Sequence, residues 1–164
     1  MKIKSFSIVQ FIFVLLTIVC MVLIFYFSSE NAEESTDTSD GFTAIAISIF
    51  YPDFDDRPLA QQEKITDTVT FAVRKCAHFT IYAALGFCCA MAMGRRKLIS
   101  RKNLAAQGIS SLYACTDEVH QTFSDGRAGR FTDVLIDSAG AFTGILFAAL
   151  AVYIVSRFTR KKLP

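Results

Sequence analysis

The chain has 164 residues, enough for one domain of ordinary size, and 52% of them are hydrophobic, with a mean hydropathy of +0.40. This hydropathy is too high for a typical soluble domain, so composition indicates an integral membrane protein. The net charge is only +2 and no uniformly basic face is visible, so we predict no nucleic-acid partner. The five cysteines lie in or beside apolar segments without a C-x-x-C pair, which excludes a disulfide framework.

The first predicted element is a transmembrane helix at residues 6–27, a run of 22 residues without a charge. Such a run can cross a hydrocarbon core of about 30 Å. A secretory signal peptide is the alternative interpretation, but its apolar region is normally only about 7–15 residues long and is followed by a small-residue cleavage site. Residues 25–29 offer no such site, so we predict a retained helix.

A long acidic extracytoplasmic loop is predicted at residues 28–70, which contain ten acidic and two basic residues. Within it, residues 42–51 are apolar but too few to span a membrane, and they indicate a core-facing or interfacial helix ended by Pro52. Apolar residues recur at four-residue spacing over 59–73, which predicts an amphipathic helix leading into the membrane.

Three further spans are predicted at about 76–93, 103–123 and 133–155. The predicted fold class is therefore an all-α membrane protein with four transmembrane helices, and residues 1–164 form a single membrane domain. Eleven of the seventeen Lys and Arg residues flank the spans on one side, in the two tails and between the second and third spans. That side is predicted to be cytoplasmic, and both termini lie on it.

The ionisable residues within the predicted spans gather at the extracytoplasmic ends. Such groups are costly at membrane depth and mark a functional site by default. We predict that four of them act as general acids or bases: His78, Asp117, Glu118 and Asp137. Four polar or charged residues in or beside these span ends are predicted to bind substrate: Lys75, Gln121, Arg127 and Asp133.

Helical spacing orients several of these side chains. Lys75 and His78 share one stripe of the second span with Tyr82. Asp117 and Gln121 are four residues apart and point the same way. The residue between them, at position 118, is rotated by about 100° from Asp117.

The fourth span carries a G-x-x-x-G pattern at Gly140 and Gly144. Small residues at this spacing permit close helix contact, which would hold Asp137 against a neighbouring helix.

Two other interpretations of the polar residues stay open. The carboxylates could serve only to lock helices together, neutralised by nearby cations. Arg127 precedes a helix start and suits a phosphate group or an ordinary lipid headgroup.

The histidines and carboxylates at this end also contain enough ligands for zinc or magnesium. However, no spacing such as H-x-x-x-H supports a metal site, and Lys75 argues for internal charge balance. We therefore predict no metal and no cofactor.

Three linked motifs resemble the VanZ-like family, with a fourth match at Phe27-Ser28-Ser29-Glu30 after the first span. The three are Arg74-Lys75-Cys76-Ala77-His78-Phe79, Asp117-Glu118-Val119-His120-Gln121 and Arg127-Ala128-Gly129-Arg130-Phe131-Thr132-Asp133-Val134-Leu135-Ile136-Asp137-Ser138-Ala139-Gly140. The resemblance covers about residues 25–144. It implies a bacterial plasma-membrane protein with a role in the cell envelope, in a family whose founding member is associated with low-level teicoplanin resistance. One departure is Arg130, where many relatives carry a small or polar residue.

Two functions from different classes follow, and whether the protein is an enzyme stays open. The first is an outward-facing polar pocket that acts on or binds a lipid-linked or phosphate-bearing envelope component. The alternative is a non-catalytic accessory protein that shields or reorganises cell-surface components. A transporter ranks last, because four spans without an internal repeat are few for one. The predicted partners are membrane lipids or a lipid-linked envelope precursor, and a homo-oligomer is an open alternative.

Overall fold

A computed structural model describes residues 7–94, 100–124 and 129–160. The described residues form five helices and no strand, so the predicted all-α class is confirmed. The helices are α1 (Ile8–Ser29), α2 (Ala32–Phe50), α3 (Leu59–Ala92), α4 (Arg101–Gln121) and α5 (Phe131–Arg160).

Three of these helices, α1, α3 and α5, are long and apolar enough to cross a membrane. Many of their large apolar side chains are exposed, among them Phe11, Leu15 and Phe147. An apolar surface of this extent is stable against hydrocarbon and unfavourable in water. The less apolar α4, predicted as the third span, is not identified as a span by composition alone.

The segment that was predicted as a loop contains α2, which is longer than the helix predicted at 42–51. α2 begins with a capping box, in which the Asn31 side chain accepts from the Glu34 N–H at 2.9 Å and the Glu34 carboxylate accepts from the Asn31 N–H at 3.0 Å. The helix ends at Phe50, shortly before Pro52, where we predicted a stop. The apolar helix predicted at 42–51 is thus only its second half.

α3 runs through 34 residues without interruption. It joins the amphipathic helix predicted at 59–73 to the span predicted at 76–93. At a rise of 1.5 Å per residue it is about 50 Å long, which exceeds a hydrocarbon core of about 30 Å. α2 packs against its first half, where the hydroxyls of Thr43 and Thr70 lie 3.3 Å apart.

The connection between α2 and α3 is braced by an exposed ion pair. Arg57 donates to both carboxylate oxygens of Asp53, at 2.7 and 3.0 Å. This hydrogen bonding holds the pKa of the Asp53 carboxyl below its usual value.

Contacts between helices fix their directions. Gln10 at the start of α1 donates to the Ala92 carbonyl at the end of α3, at 3.1 Å, so these two helices are antiparallel. The Tyr113 hydroxyl of α4 donates to the Met21 carbonyl of α1, at 2.6 Å. The two helices then converge at their C-terminal ends, where the Ser124 hydroxyl donates to the carbonyl of residue 28 at 3.3 Å.

The most extensive helix contact joins α3 and α5, and glycines make it possible. A Cβ atom added at Gly140 would overlap the Phe79 carbonyl oxygen, and one at Gly144 would overlap that of Ala83. The close contact expected of the G-x-x-x-G pattern is confirmed. Because the contact positions rise together along both helices, α3 and α5 are parallel. The contact holds the turn carrying Asp137 against α3.

We expect a Gly144→Ala substitution to lower the midpoint of thermal unfolding in detergent by several degrees. The added methyl group meets backbone, which cannot move aside as a side chain can, and overpacking of this kind costs about 1–3 kcal/mol. Gly108→Ala in α4 is the matched control, because a Cβ there meets no atom within 4 Å. Equal midpoints for the two variants would contradict the packing argument.

Candidate functional site

The predicted site residues come from different helices that meet at one end of the bundle. α4 ends there at Gln121, α5 begins there at Phe131, and α3 passes through at residues 75–82.

Three residues form a cluster at the centre of this region: the half-buried His78 of α3 and the buried Asp117 of α4 and Asp137 of α5. One nitrogen or oxygen atom of each lies within 4.8 Å of those of the other two. The Nδ1 atom of His78 is 3.7 Å from Oδ1 of Asp137. Asp117 is 4% exposed and Asp137 is 1% exposed. The structure therefore brings together three of the four predicted acid–base residues, and we call these three the polar triad.

Two buried hydroxyl groups and an amide surround Asp117. Gln121 donates from Nε2 to Oδ2 of Asp117 at 3.2 Å, as their four-residue spacing predicted. The hydroxyls of Ser28 and Tyr82 also lie beside this carboxylate, and both residues are fully buried. Neither hydroxyl has a hydrogen-bond partner of ordinary geometry in the described residues. Sequence reasoning did not place them in the site, although Tyr82 shares the stripe of His78.

Lys75 is paired with Asp133 rather than with the polar triad. Its Nζ atom donates to Oδ2 of Asp133, and both side chains are mostly buried. The Lys75 ammonium also lies 5.2 Å from the centre of the Phe71 ring. This pair ties α3 to the start of α5 beside the triad.

Glu118 points away from the polar triad, towards the start of α5. Its Oε2 atom accepts a hydrogen bond from the Arg130 N–H at 2.7 Å. A carboxylate at this place is stabilised by free N–H groups and by the positive end of the helix dipole. Gly129 permits the approach, since a Cβ there would lie 2.8 Å from the Glu118 carbonyl oxygen. The geometry gives Glu118 a positioning role, and its predicted acid–base role stays untested.

The other histidine, His120, lies away from the polar triad. His120 packs against Phe25 of α1, with ring centres 4.5 Å apart. Arg127, predicted to bind substrate, lies outside the described residues.

A largely apolar cavity reaches the triad from the side of α2. Its volume is about 220 Å³, and its wall includes Arg74 and His78. It adjoins a larger groove of about 1140 Å³ between α2 and α3, and Phe42 and Ala77 line both. Most of the residues that line the two are apolar, and the ionisable side chains Glu30, Arg74 and His78 line only the smaller one. Sequence analysis did not single out Arg74, although it belongs to the first motif.

Comparison with known proteins agrees with these observations. Residues 13–152 match the family described as VanZ/LLP1. No curated protein and no solved structure matches the chain. The family match covers all three linked motifs and all three residues of the polar triad. Together with the apolar helices, it identifies a membrane protein, and the chain belongs to the VanZ/LLP1 family.

Proposed function

We propose that this protein binds the phosphate-bearing headgroup of a membrane lipid, of the kind that carries envelope precursors. The observation that carries the proposal is the position of His78, which belongs both to the polar triad and to the wall of the cavity. The apolar chain of the lipid would lie in the groove between α2 and α3. Its headgroup would then reach Arg74 and His78.

The proposal includes four membrane spans, with the polar triad at the extracytoplasmic end. α4 joins the end of α3 to the start of α5, and these two helices are parallel, so α4 returns across the same thickness. Its 21 residues extend over about 31 Å, which matches a hydrocarbon core of about 30 Å. The Lys and Arg residues of the connection at 95–102 favour a cytoplasmic position for the opposite end.

Arg74 supports recognition of a phosphate group. It is half-buried in the wall of the cavity, which also includes Glu30, and it forms no ion pair with any described residue. A guanidinium group is always charged, and its planar fork of donors matches phosphate oxygens. Removal of surrounding water by the apolar wall strengthens such a contact.

We expect an Ala77→Phe substitution to weaken binding of a polyprenyl phosphate at least tenfold, because the ring fills space where both cavities meet. Ala77 is exposed at the wall of the groove, so the fold is expected to persist. Binding is measured by native mass spectrometry of the protein in detergent. Ala105→Phe is the matched control, an exposed alanine of α4 that lines neither cavity. Unchanged lipid binding in Ala77→Phe would contradict the proposal.

The site also supports proton transfer at the bound headgroup. An imidazole can act as a general acid or base, and His78 lies beside Asp137 at the cavity wall. If the protein is an enzyme, the wild type will convert a lipid-linked pyrophosphate to a product, and the His78→Gln variant will not. Binding without conversion would favour the accessory function.

Teicoplanin susceptibility of cells carrying the same variants tests the envelope role that family membership suggests.

A further inference from the structure

We infer that His78, Asp117 and Asp137 bind one divalent cation of the Zn²⁺ or Mn²⁺ class. The three ligand-capable atoms lie within 4.8 Å of one another. Bonds from these ligand types to zinc are about 2.0–2.2 Å long, so two ligand atoms of one tetrahedrally coordinated ion lie about 3.4 Å apart. Side-chain movements of less than about 1 Å would complete the coordination. The ligands come from three helices, which is why no short sequence spacing revealed them.

The buried carboxylate of Asp137 is a second, independent observation in favour of a bound cation. It is 1% exposed, and neither of its carboxylate oxygens has a hydrogen-bond partner in the described part of the chain. A buried carboxylate without partners is strongly unfavourable unless a positive charge lies beside it. Its contact with His78, at 3.7 Å, is too long to be a hydrogen bond.

The charge balance within the site also favours a bound cation. Asp117 and Asp137 are both buried and belong to the same cluster, so their charges repel each other. Lys75, which the sequence suggested as their counterion, is paired with Asp133. A divalent cation between the three side chains would neutralise both carboxylates and use the imidazole as a neutral ligand.

The ligand types narrow the choice of ion. Magnesium and calcium prefer oxygen ligands alone, whereas imidazole favours zinc and other transition metals. One imidazole with two carboxylates suits Zn²⁺ or Mn²⁺. Three protein ligands leave a coordination position open for water or a phosphate oxygen. The buried hydroxyls of Ser28 and Tyr82, beside Asp117, are placed to hydrogen-bond such a water.

The ion would also explain how an anionic headgroup can approach two carboxylates. Without it, Asp117 and Asp137 would repel a phosphate, while a bound cation attracts the phosphate and polarises its oxygens. This role rests on the proposed function. The binding of the ion does not, because the geometry of the triad alone supports it.

Metal binding to the purified protein in detergent tests the inference. The protein is stripped with a chelator, dialysed against Zn²⁺ or Mn²⁺ and analysed for bound metal by mass spectrometry, and affinities are measured by calorimetry. We expect one ion per chain, and at least tenfold weaker binding in His78→Gln and in Asp137→Asn. The matched controls are His120→Gln, which changes the other histidine, and Asp67→Asn, which changes an exposed aspartate of α3. Both are expected to bind as the wild type does.

Wild-type protein that binds neither ion would overturn the inference, and so would equal affinity in the wild type and both ligand variants. Thermal unfolding keeps the test valid if one variant folds poorly. Added metal is expected to raise the midpoint for the wild type and for His120→Gln but not for Asp117→Asn. Lipid binding is measured separately, so ion binding without lipid binding would retain this inference and remove the proposed function. Lipid binding without ion binding would have the opposite consequence.

Discussion

An Asp137→Asn variant is expected to fold as stably as the wild type in metal-free buffer, while its affinity for a polyprenyl phosphate in the presence of Zn²⁺ falls by about a hundredfold. The stability follows from burial, because asparagine removes a carboxylate charge that has no hydrogen-bond partner in the described residues. The loss of binding follows from removal of one ligand of the inferred cation, which would attract the phosphate group. Thermal unfolding of the metal-free protein and native mass spectrometry of the Zn²⁺-loaded protein measure the two effects.

This pair of measurements also separates a functional triad from a structural one. If Asp137 served only to lock α5 against α3, the substitution would lower the unfolding midpoint and leave the lipid affinity of the folded fraction unchanged. Asp67→Asn, at an exposed position of α3, controls for the general effect of removing one negative charge.

A Lys75→Met variant is expected to lose about 3 kcal/mol of unfolding free energy, the largest stability effect that we predict. The substitution leaves the Asp133 carboxylate, whose side chain is 13% exposed, without its partner. Breaking a buried ion pair on one side typically costs about 3–5 kcal/mol, because the remaining charge stays desolvated. Reversible unfolding in detergent measures the change.

Two further variants control this prediction. The double variant Lys75→Met with Asp133→Leu removes both charges and is expected to recover most of the loss. Arg57→Met breaks the pair with Asp53, whose side chain is 58% exposed, and exposed pairs contribute about 1 kcal/mol or less. Equal effects of Lys75→Met and Arg57→Met would contradict the buried character of the first pair.

Much of the fold was predictable because long apolar runs and small-residue patterns have few structural solutions. The charge-free run at 6–27 corresponds to α1, and the Gly140 and Gly144 pattern correctly located a close helix contact. α2 was only partly predicted. Its first half is polar, and in the sequence only its capping residues, Asn31 and Glu34, indicate where the helix begins. Packing on α3 supports this helix, and such tertiary contacts are absent from local sequence patterns.

The candidate site was predictable as a region but not in its pairings. The gathering of ionisable residues at one end of the predicted spans located it. Several carboxylates compete there for one lysine, and only the rotation of each helix decides which of them meets Lys75. The same rotation separates Asp117, which joins the triad, from Glu118, which reaches the start of α5. Spacing along one helix predicts the relative directions of its side chains, but it does not identify the residue on another helix that each side chain contacts.

The glycine contact between α3 and α5 lies next to the two residues on which the site depends most. Phe79, whose carbonyl oxygen closely approaches Gly140, directly follows His78, and Gly140 lies one turn beyond Asp137. Backbone atoms of both helices therefore set the separation of His78 and Asp137, and the helices cannot slide apart without breaking that contact. We therefore expect the candidate site to be preorganised during folding, so that a ligand of the proposed kind would bind with only a small cost of reorganisation.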